Sequence, residues 1–240
     1  MEQKQSKSGL NTILNKYLSE FVYGGIDGCV TTFAVVAGAV GANLETSIII
    51  ILGFANLLAD GLSMSIGAFL SSKSSRDNYL KFRKREFWEI KHERESEIEE
   101  IREIYREKGF EGELLEQVVQ KITENEERWV NVMMKDELGM IPEQKSPFGV
   151  GLATYSAFIF IGLIPLGTYL FNWFYPIKYN PFIITSVLTG LGFAVVGFLK
   201  AKINHTSIVK GVFETLLLGT LAAIVAYFVG DFLEYLLSKT

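Results

Sequence analysis

The chain has 240 residues, of which 49% are hydrophobic and 21% are charged. Its formal net charge of −4 argues against nucleic-acid binding, because phosphate contacts require a positive face. Cys29 is the only cysteine, which excludes an internal disulfide and a zinc site built from several cysteines. With two histidines, any metal site must rely mainly on carboxylates, methionines and backbone oxygens.

The charges are concentrated in one part of the chain. Residues 71–146 hold 19 of the 27 acidic residues and 15 of the 23 lysines and arginines. The flanking sequence is mostly apolar, which is typical of a membrane protein with a charged domain outside the bilayer. The sequence therefore predicts three parts: an N-terminal segment with two transmembrane helices (1–70), a cytoplasmic three-helix domain (71–145) and three further transmembrane helices (146–240).

Five apolar runs are long enough to cross a bilayer, since a spanning helix needs about 20 residues. They lie at 20–42, 46–70, 148–172, 181–201 and 207–237. Lysine and arginine favour the cytoplasmic side, and one arrangement places 21 basic residues on one side and 2 on the other. This all-α arrangement puts the N-terminus and the charged insert in the cytoplasm and the C-terminus outside. We expect no signal peptide, because no small-residue cleavage site follows the first run.

The first run contains a carboxylate between two glycines. Tyr23, Asp27 and Thr31 recur every four residues and form one polar stripe. An ionisable residue within a membrane span is costly and indicates an ion or proton pathway. Gly24 and Gly28 allow another helix to approach closely. The alternative is a packing motif with Asp27 near the membrane interface.

The second run repeats this spacing with Asn56, Asp60 and Met64. One helix face thus offers an amide, a carboxylate and a thioether. Carboxylate oxygen together with sulfur suits a borderline ion such as Fe²⁺ better than Mg²⁺ or Ca²⁺. Hydrogen bonding between packed helices is the alternative.

The insert is rich in helix-forming residues, and glycines at 109 and 112 are expected to end its first long helix. Two further helices are predicted at 113–121 and 124–138. Glutamates three apart share a helix face, as in bundle proteins that hold metals between inward-pointing carboxylates. The candidates are Glu86 with Glu89, Glu97 with Glu100, and Met133, Met134 and Glu137. Because glutamate is common here, spacing alone favours the alternative of a solvated charged face.

Three motifs resemble the vacuolar iron transporter family: Gly-Ile-Asp-Gly at 25–28, Ala-Asp-Gly-Leu-Ser-Met-Ser-Ile-Gly at 59–67 and Ser-Ser-Lys-Ser-Ser at 71–75. The resemblance implies a homodimer whose first spans line the translocation path and whose inserts collect metal. The family's insert ligands have a fixed spacing, which falls here on Glu86, Glu89, Glu97, Glu100, Met133, Met134 and Glu137.

The translocation residues match the family less completely. The resemblance implies roles for Asp27 and Met64. Independently of it, Thr31 and Asn56 are expected to supply additional oxygen ligands. Asn56 stands where the iron transporters typically carry an acidic residue, which removes one charge from the path. Asp60, one turn away, is a hypothetical substitute; altered ion preference or weaker proton coupling is the alternative.

Together these features predict a transporter that exports cytosolic Fe²⁺ by proton antiport, with Mn²⁺, Co²⁺ and Zn²⁺ as further candidate ions. No prosthetic group and no enzymatic reaction are expected, since no catalytic triad or nucleotide motif is present. One alternative is a metal sensor or buffer that does not translocate. Another is a membrane-anchored di-iron oxidase, for which Glu89 and His92 give one Glu-x-x-His match.

A prokaryotic plasma membrane is the expected location, because the N-terminal segment carries no targeting extension or eukaryotic sorting signal. A vacuolar membrane is expected if the protein is eukaryotic.

Overall fold

The structure is a computed structural model that describes residues 16–239. Residues 1–15, with Lys4 and Lys7 of the charge-bias prediction, and Thr240 lie outside the described residues. The described chain forms eight α-helices and one short π-helix. They are α1 (Leu18–Gly41), α2 (Thr46–His92), α3 (Arg94–Glu107), α4 (Gly112–Thr123), α5 (Glu126–Val132), the π-helix (Met133–Glu137), α6 (Pro147–Phe174), α7 (Pro181–Ile203) and α8 (Ile208–Leu237).

The contacts divide the chain into two compact units. Of the described residues, 16–70 and 147–239 form the membrane unit, and 71–146 form the insert unit. Among the described residues, five helices are long and apolar enough to cross a membrane, namely α1, α2, α6, α7 and α8. They coincide with the five apolar runs of the sequence. The main difference is that α2 does not end with its apolar run but continues as one helix to His92.

The membrane unit is built around α1, which packs against α6, α7 and α8. Its glycines allow the close packing that the sequence predicts. A Cβ atom on Gly24 would lie 2.5 Å from the backbone oxygen of Thr154, and one on Gly28 would lie 2.9 Å from the Cα atom of Phe158. Any larger residue at these positions would therefore push α6 away from α1.

The insert unit has its own apolar core, which explains how sparse apolar positions hold this charged region together. Ile90, Ile101, Trp129, Met133 and Met134 are all at most 1% exposed and belong to one cluster. The charged residues around this core form ion pairs. These exposed pairs add little stability, so the core carries most of the packing energy.

The first long helix of the insert is interrupted, unlike the single helix predicted up to residue 109. Glu93 has φ −125° and ψ 35°, outside the helical region, and separates α2 from α3. The sequence has no glycine or proline there, so the interruption arises from packing in the folded unit. The last predicted helix begins at Glu126, where the side chain of Asn125 accepts a hydrogen bond from the amide of Arg128 at 2.9 Å. This α-helix, α5, ends at Val132, and the π-helix Met133–Glu137 follows it directly.

Candidate metal centre

Two glutamates are buried in the insert unit, and they come from different helices. Glu86 of α2 is 3% exposed and Glu97 of α3 is 5% exposed. In each, the Oε2 atom is buried without a hydrogen-bond partner within residues 16–239. A buried carboxylate oxygen with no partner is unfavourable unless it is protonated or binds a cation. The two side chains are thus suited to hold either protons or a metal ion.

The charges of the other predicted glutamates raise the pKa values of these two carboxyl groups. The pKa of Glu86 is raised to about 7, first by burial and then by the charges of Glu137 and Glu89. The pKa of Glu97 is raised to about 8, first by burial and then by Glu100, Glu86 and the other two glutamates. Burial, together with Glu100 and Glu89, also raises the pKa of Glu137. The structure therefore brings all five predicted glutamates into one interacting group.

Arg85 provides a cation beside this group. Its guanidinium bonds to Oε1 of Glu89, one helical turn away, at 2.8 Å, and its charge lowers the pKa of Glu86 and of Glu137. The sequence analysis did not identify this residue, although an Arg–Glu pair four residues apart signals such an interaction. A metal ion that binds Glu89 competes with Arg85 for this carboxylate.

Both predicted methionine ligands lie in the core of the insert unit, in or next to the turn where the helix widens. The Leu138 amide bonds to the Met133 oxygen at 3.1 Å, and the Met140 amide bonds to the Met134 oxygen at 2.7 Å. Such π-type turns are rare in proteins overall, and those that do occur are often found at functional sites. The spacing of the sequence gave no indication of this turn.

The candidate ligands lie in one region but are not arranged as a finished coordination shell. Within residues 16–239, no group of three or more His, Cys, Asp or Glu side chains is positioned to hold a metal ion. His92 is engaged elsewhere, because its Nδ1 atom is 2.8 Å from the Trp88 backbone oxygen and its ring stacks on Trp88.

The membrane unit brings together two of the five predicted translocation residues. Asp27 of α1 is partly buried, and its carboxylate interacts electrostatically with that of Asp60 on α2. Thr31 lies one turn beyond Asp27 and donates its hydroxyl hydrogen to the Asp27 backbone oxygen at 2.9 Å. The helices thus bring two carboxylates within electrostatic range of each other inside apolar segments.

The other two translocation residues are on the same helix as Asp60. Asn56 buries its Nδ2 atom without a hydrogen-bond partner in the described part of the chain. Met64 is partly buried and packs against an apolar cluster that includes Leu57 and Phe158. Within residues 16–239, no hydrogen bond joins Asn56 or Met64 to Asp27.

A comparison with protein families matches residues 18–231 to the model of the VIT family. A vacuolar iron transporter of Toxoplasma gondii is 34% identical over 226 residues, covering 91% of this chain and 74% of the relative. Vacuolar iron transporter 1 of Tulipa gesneriana is 32% identical over 209 residues, covering 87% of this chain and 83% of the relative. Vacuolar iron transporter 1 of Arabidopsis thaliana is 30% identical over 209 residues, covering 87% of this chain and 82% of the relative.

Proposed function

Because the chain belongs to the VIT family, we propose that it is a homodimeric transporter that moves Fe²⁺ out of the cytosol in exchange for protons. The family is one of transporters, and the relatives are named for iron and the vacuole. Five membrane-compatible helices make the chain a multi-pass membrane protein. The observation that carries the proposal is the pair of buried carboxylates, Glu86 and Glu97, each with an unpartnered oxygen in the described chain.

In this proposal the insert unit captures the ion. Glu86, Glu97 and their three neighbouring glutamates supply oxygen ligands, and Met133 and Met134 supply sulfur. This mixed set suits Fe²⁺, with Co²⁺, Zn²⁺ and Mn²⁺ as further candidates, better than a hard ion such as Mg²⁺. Binding replaces protons on the two buried carboxyl groups, because their raised pKa values leave Glu97 mostly protonated and Glu86 partly protonated near neutral pH.

The membrane unit provides the translocation step. Asp27 and Asp60 repel each other while both are ionised, and a proton or a divalent ion held between them offsets the repulsion. Alternating occupation of this pair by metal and by protons is the basis we propose for antiport. Asp60 then supplies the charge that Asn56 does not. Met64 and Thr31 contribute sulfur and oxygen along the same path.

A second copy of the chain is part of the proposal because α2 has a largely exposed apolar face that also carries a charge. Asp60 is exposed, and so are Leu58 and Leu62 beside it. A carboxylate facing lipid is costly in a membrane span. Pairing of two copies along α1 and α2 removes this cost and lets both chains line one path.

The proposed orientation follows the charge bias of the sequence, with the N-terminus and the insert unit in the cytoplasm. Export from the cytosol then means transport across the plasma membrane of a prokaryote or into the vacuole of a eukaryote.

The test is Fe²⁺ accumulation in sealed proteoliposomes that contain the purified chain, compared with protein-free vesicles. Accumulation inside the vesicles supports transport. Fe²⁺ binding without accumulation contradicts it and favours a sensor or buffer. Consumption of Fe²⁺ with production of Fe³⁺ would instead indicate an oxidase.

A further inference from the structure

An apolar groove of about 430 Å³ opens at one end of the membrane unit, between α1, α6 and α7. Its walls include Tyr17, which directly precedes α1, Phe21 from α1, Leu152 and Ala153 from α6, and Leu199 from α7. The volume falls within the range of ~300–1,000 Å³ that is usual for ligand pockets. Because α1 and α6 begin here and α7 ends here, the groove reaches the end of the bundle where a bilayer has its headgroups.

Two lysines stand at this end of the groove. Lys16 directly precedes Tyr17. Lys202 follows Leu199 by three residues, so the two side chains lie on the same face of α7. Both lysines are exposed, and within residues 16–239 no ion pair is recorded for Lys202. The N-terminal ends of α1 and α6 add partial positive charge at the same level.

The acidic residues at this end do not cancel the positive charge. Glu214 is engaged by two other lysines, since its carboxylate lies 3.1 Å from the Lys200 amine and 4.0 Å from that of Lys210. Glu20 accepts a hydrogen bond from Ser19 at 3.0 Å. Among the described residues at this end of α1, α7 and α8 and just before α1, four lysines therefore exceed two glutamates, and an anion is the complementary ligand.

We propose that this groove is a binding site for an anionic phospholipid, with an acyl chain between α1, α6 and α7 and the phosphate beside Lys16 and Lys202. An acyl chain matches the apolar walls, and a negatively charged headgroup matches the lysines at the mouth. The site is separate from the predicted metal and translocation residues, and it does not depend on the transport direction or on proton coupling.

Native mass spectrometry of the full chain in a non-ionic detergent tests the site. Phosphatidylglycerol and phosphatidylcholine with identical acyl chains are titrated in parallel. We expect the anionic lipid to bind more tightly by about fivefold for each lysine that contacts it. The Lys16→Gln/Lys202→Gln variant should bring the ratio close to one. The matched control, Lys178→Gln/Lys239→Gln, removes two lysines at the opposite end and should keep the preference.

A second pair of variants tests the groove itself. Ala153→Phe fills the groove and should weaken binding of both lipids, whereas Val225→Phe, at an exposed position of α8, should not. Equal binding of the two lipids by the wild type would overturn the proposal, as would a preference that survives loss of Lys16 and Lys202. A preference found only after removal of residues 2–15 would show that the N-terminal segment occupies the groove, and would also overturn it.

Discussion

Glu86 lies close enough to Glu97 to raise its pKa, although the two residues belong to different helices of the insert unit. Both side chains are at least 95% buried, at 3% and 5% exposure. The pKa values of the two carboxyl groups, about 7 and about 8, place their titration near physiological pH, where protons would compete with the metal ion that we propose they bind.

Metal affinity should increase with pH between 6 and 8. At pH 6 Glu86 and Glu97 are protonated, and an incoming ion must displace their protons. The affinity should rise by about tenfold per pH unit for each proton displaced and level off above the higher pKa. Titration calorimetry with Mn²⁺ or Co²⁺ in buffers of different ionisation enthalpy measures both the affinity and the number of protons released.

The matched variants are Glu86→Gln/Glu97→Gln, which should lose this pH dependence, and Glu103→Gln, which should keep it. Glu103 is an exposed residue paired with Arg106 at 2.9 Å and lies outside the predicted ligand set. Wild-type affinity that stays constant from pH 6 to 8 would contradict the assignment.

The metal-free insert unit should lose stability as the pH rises. The pKa of Glu97 is raised from 4.5 to about 8 in the folded protein, so folding favours its protonated form. The resulting stability is fully present below pH 4.5 and is lost as the pH passes through about 8. Glu97→Gln should therefore raise the Tm by about 2–4 °C at pH 8.5 and leave it nearly unchanged at pH 4.

Trp129 is a suitable reporter, because it is fully buried in the core of this unit. Replacing Trp88 and Trp173 by phenylalanine leaves its fluorescence as the only tryptophan signal. A destabilised Glu97→Gln variant at pH 8.5 would mean that the ionised carboxylate already has a stabilising partner in the metal-free protein.

The methionine pair should determine ion preference more than stability. Met133→Leu/Met134→Leu conserves volume in the core, so each change should cost less than about 1.5 kcal/mol. Loss of the thioethers should weaken Fe²⁺ or Zn²⁺ binding by about tenfold, or about 1.4 kcal/mol, with a smaller effect on Mn²⁺. Met140→Leu is the matched control, since Met140 packs against the same core. Equal loss for all three ions would show that the methionines act only in packing.

Asp60 should carry the charge that Asn56 lacks. Asp60→Asn is expected to reduce Fe²⁺ flux by at least about tenfold, because the pair with Asp27 then has one titratable member. Asp231→Asn, at an exposed position of α8, is the control. The double variant Asn56→Glu/Asp60→Asn should recover part of the flux. Unchanged transport by Asp60→Asn would rule out this role.

The membrane helices were predictable from the sequence because the length and apolarity of a run suffice to define a span. The end of α2 was not predictable in this way. The change from apolar to charged residues after Leu70 marks the end of the apolar run, but lysine, arginine and glutamate are good helix formers and continue the same helix. Conversely, no glycine or proline near Glu93 indicates that the helix is interrupted there.

The candidate ligands could be identified from the spacing of the family's ligands. The burial of each side chain could not be predicted in this way. Glu86 and Glu97 are buried while Glu93 and Glu103 are exposed, and their helical spacing does not distinguish them. Burial depends on which helix faces meet in the folded unit. The π-helix at Met133–Glu137 likewise depends on packing around the core and has no local sequence signal.

Proton-coupled transport through Asp27 is the central claim, and Fe²⁺ flux into proteoliposomes with and without an imposed pH gradient tests it most directly. The wild type should show flux that increases with the gradient, and Asp27→Asn should lose the gradient-dependent part while metal binding to the insert unit remains. Flux that responds neither to the gradient nor to the substitution would contradict the proposed mechanism.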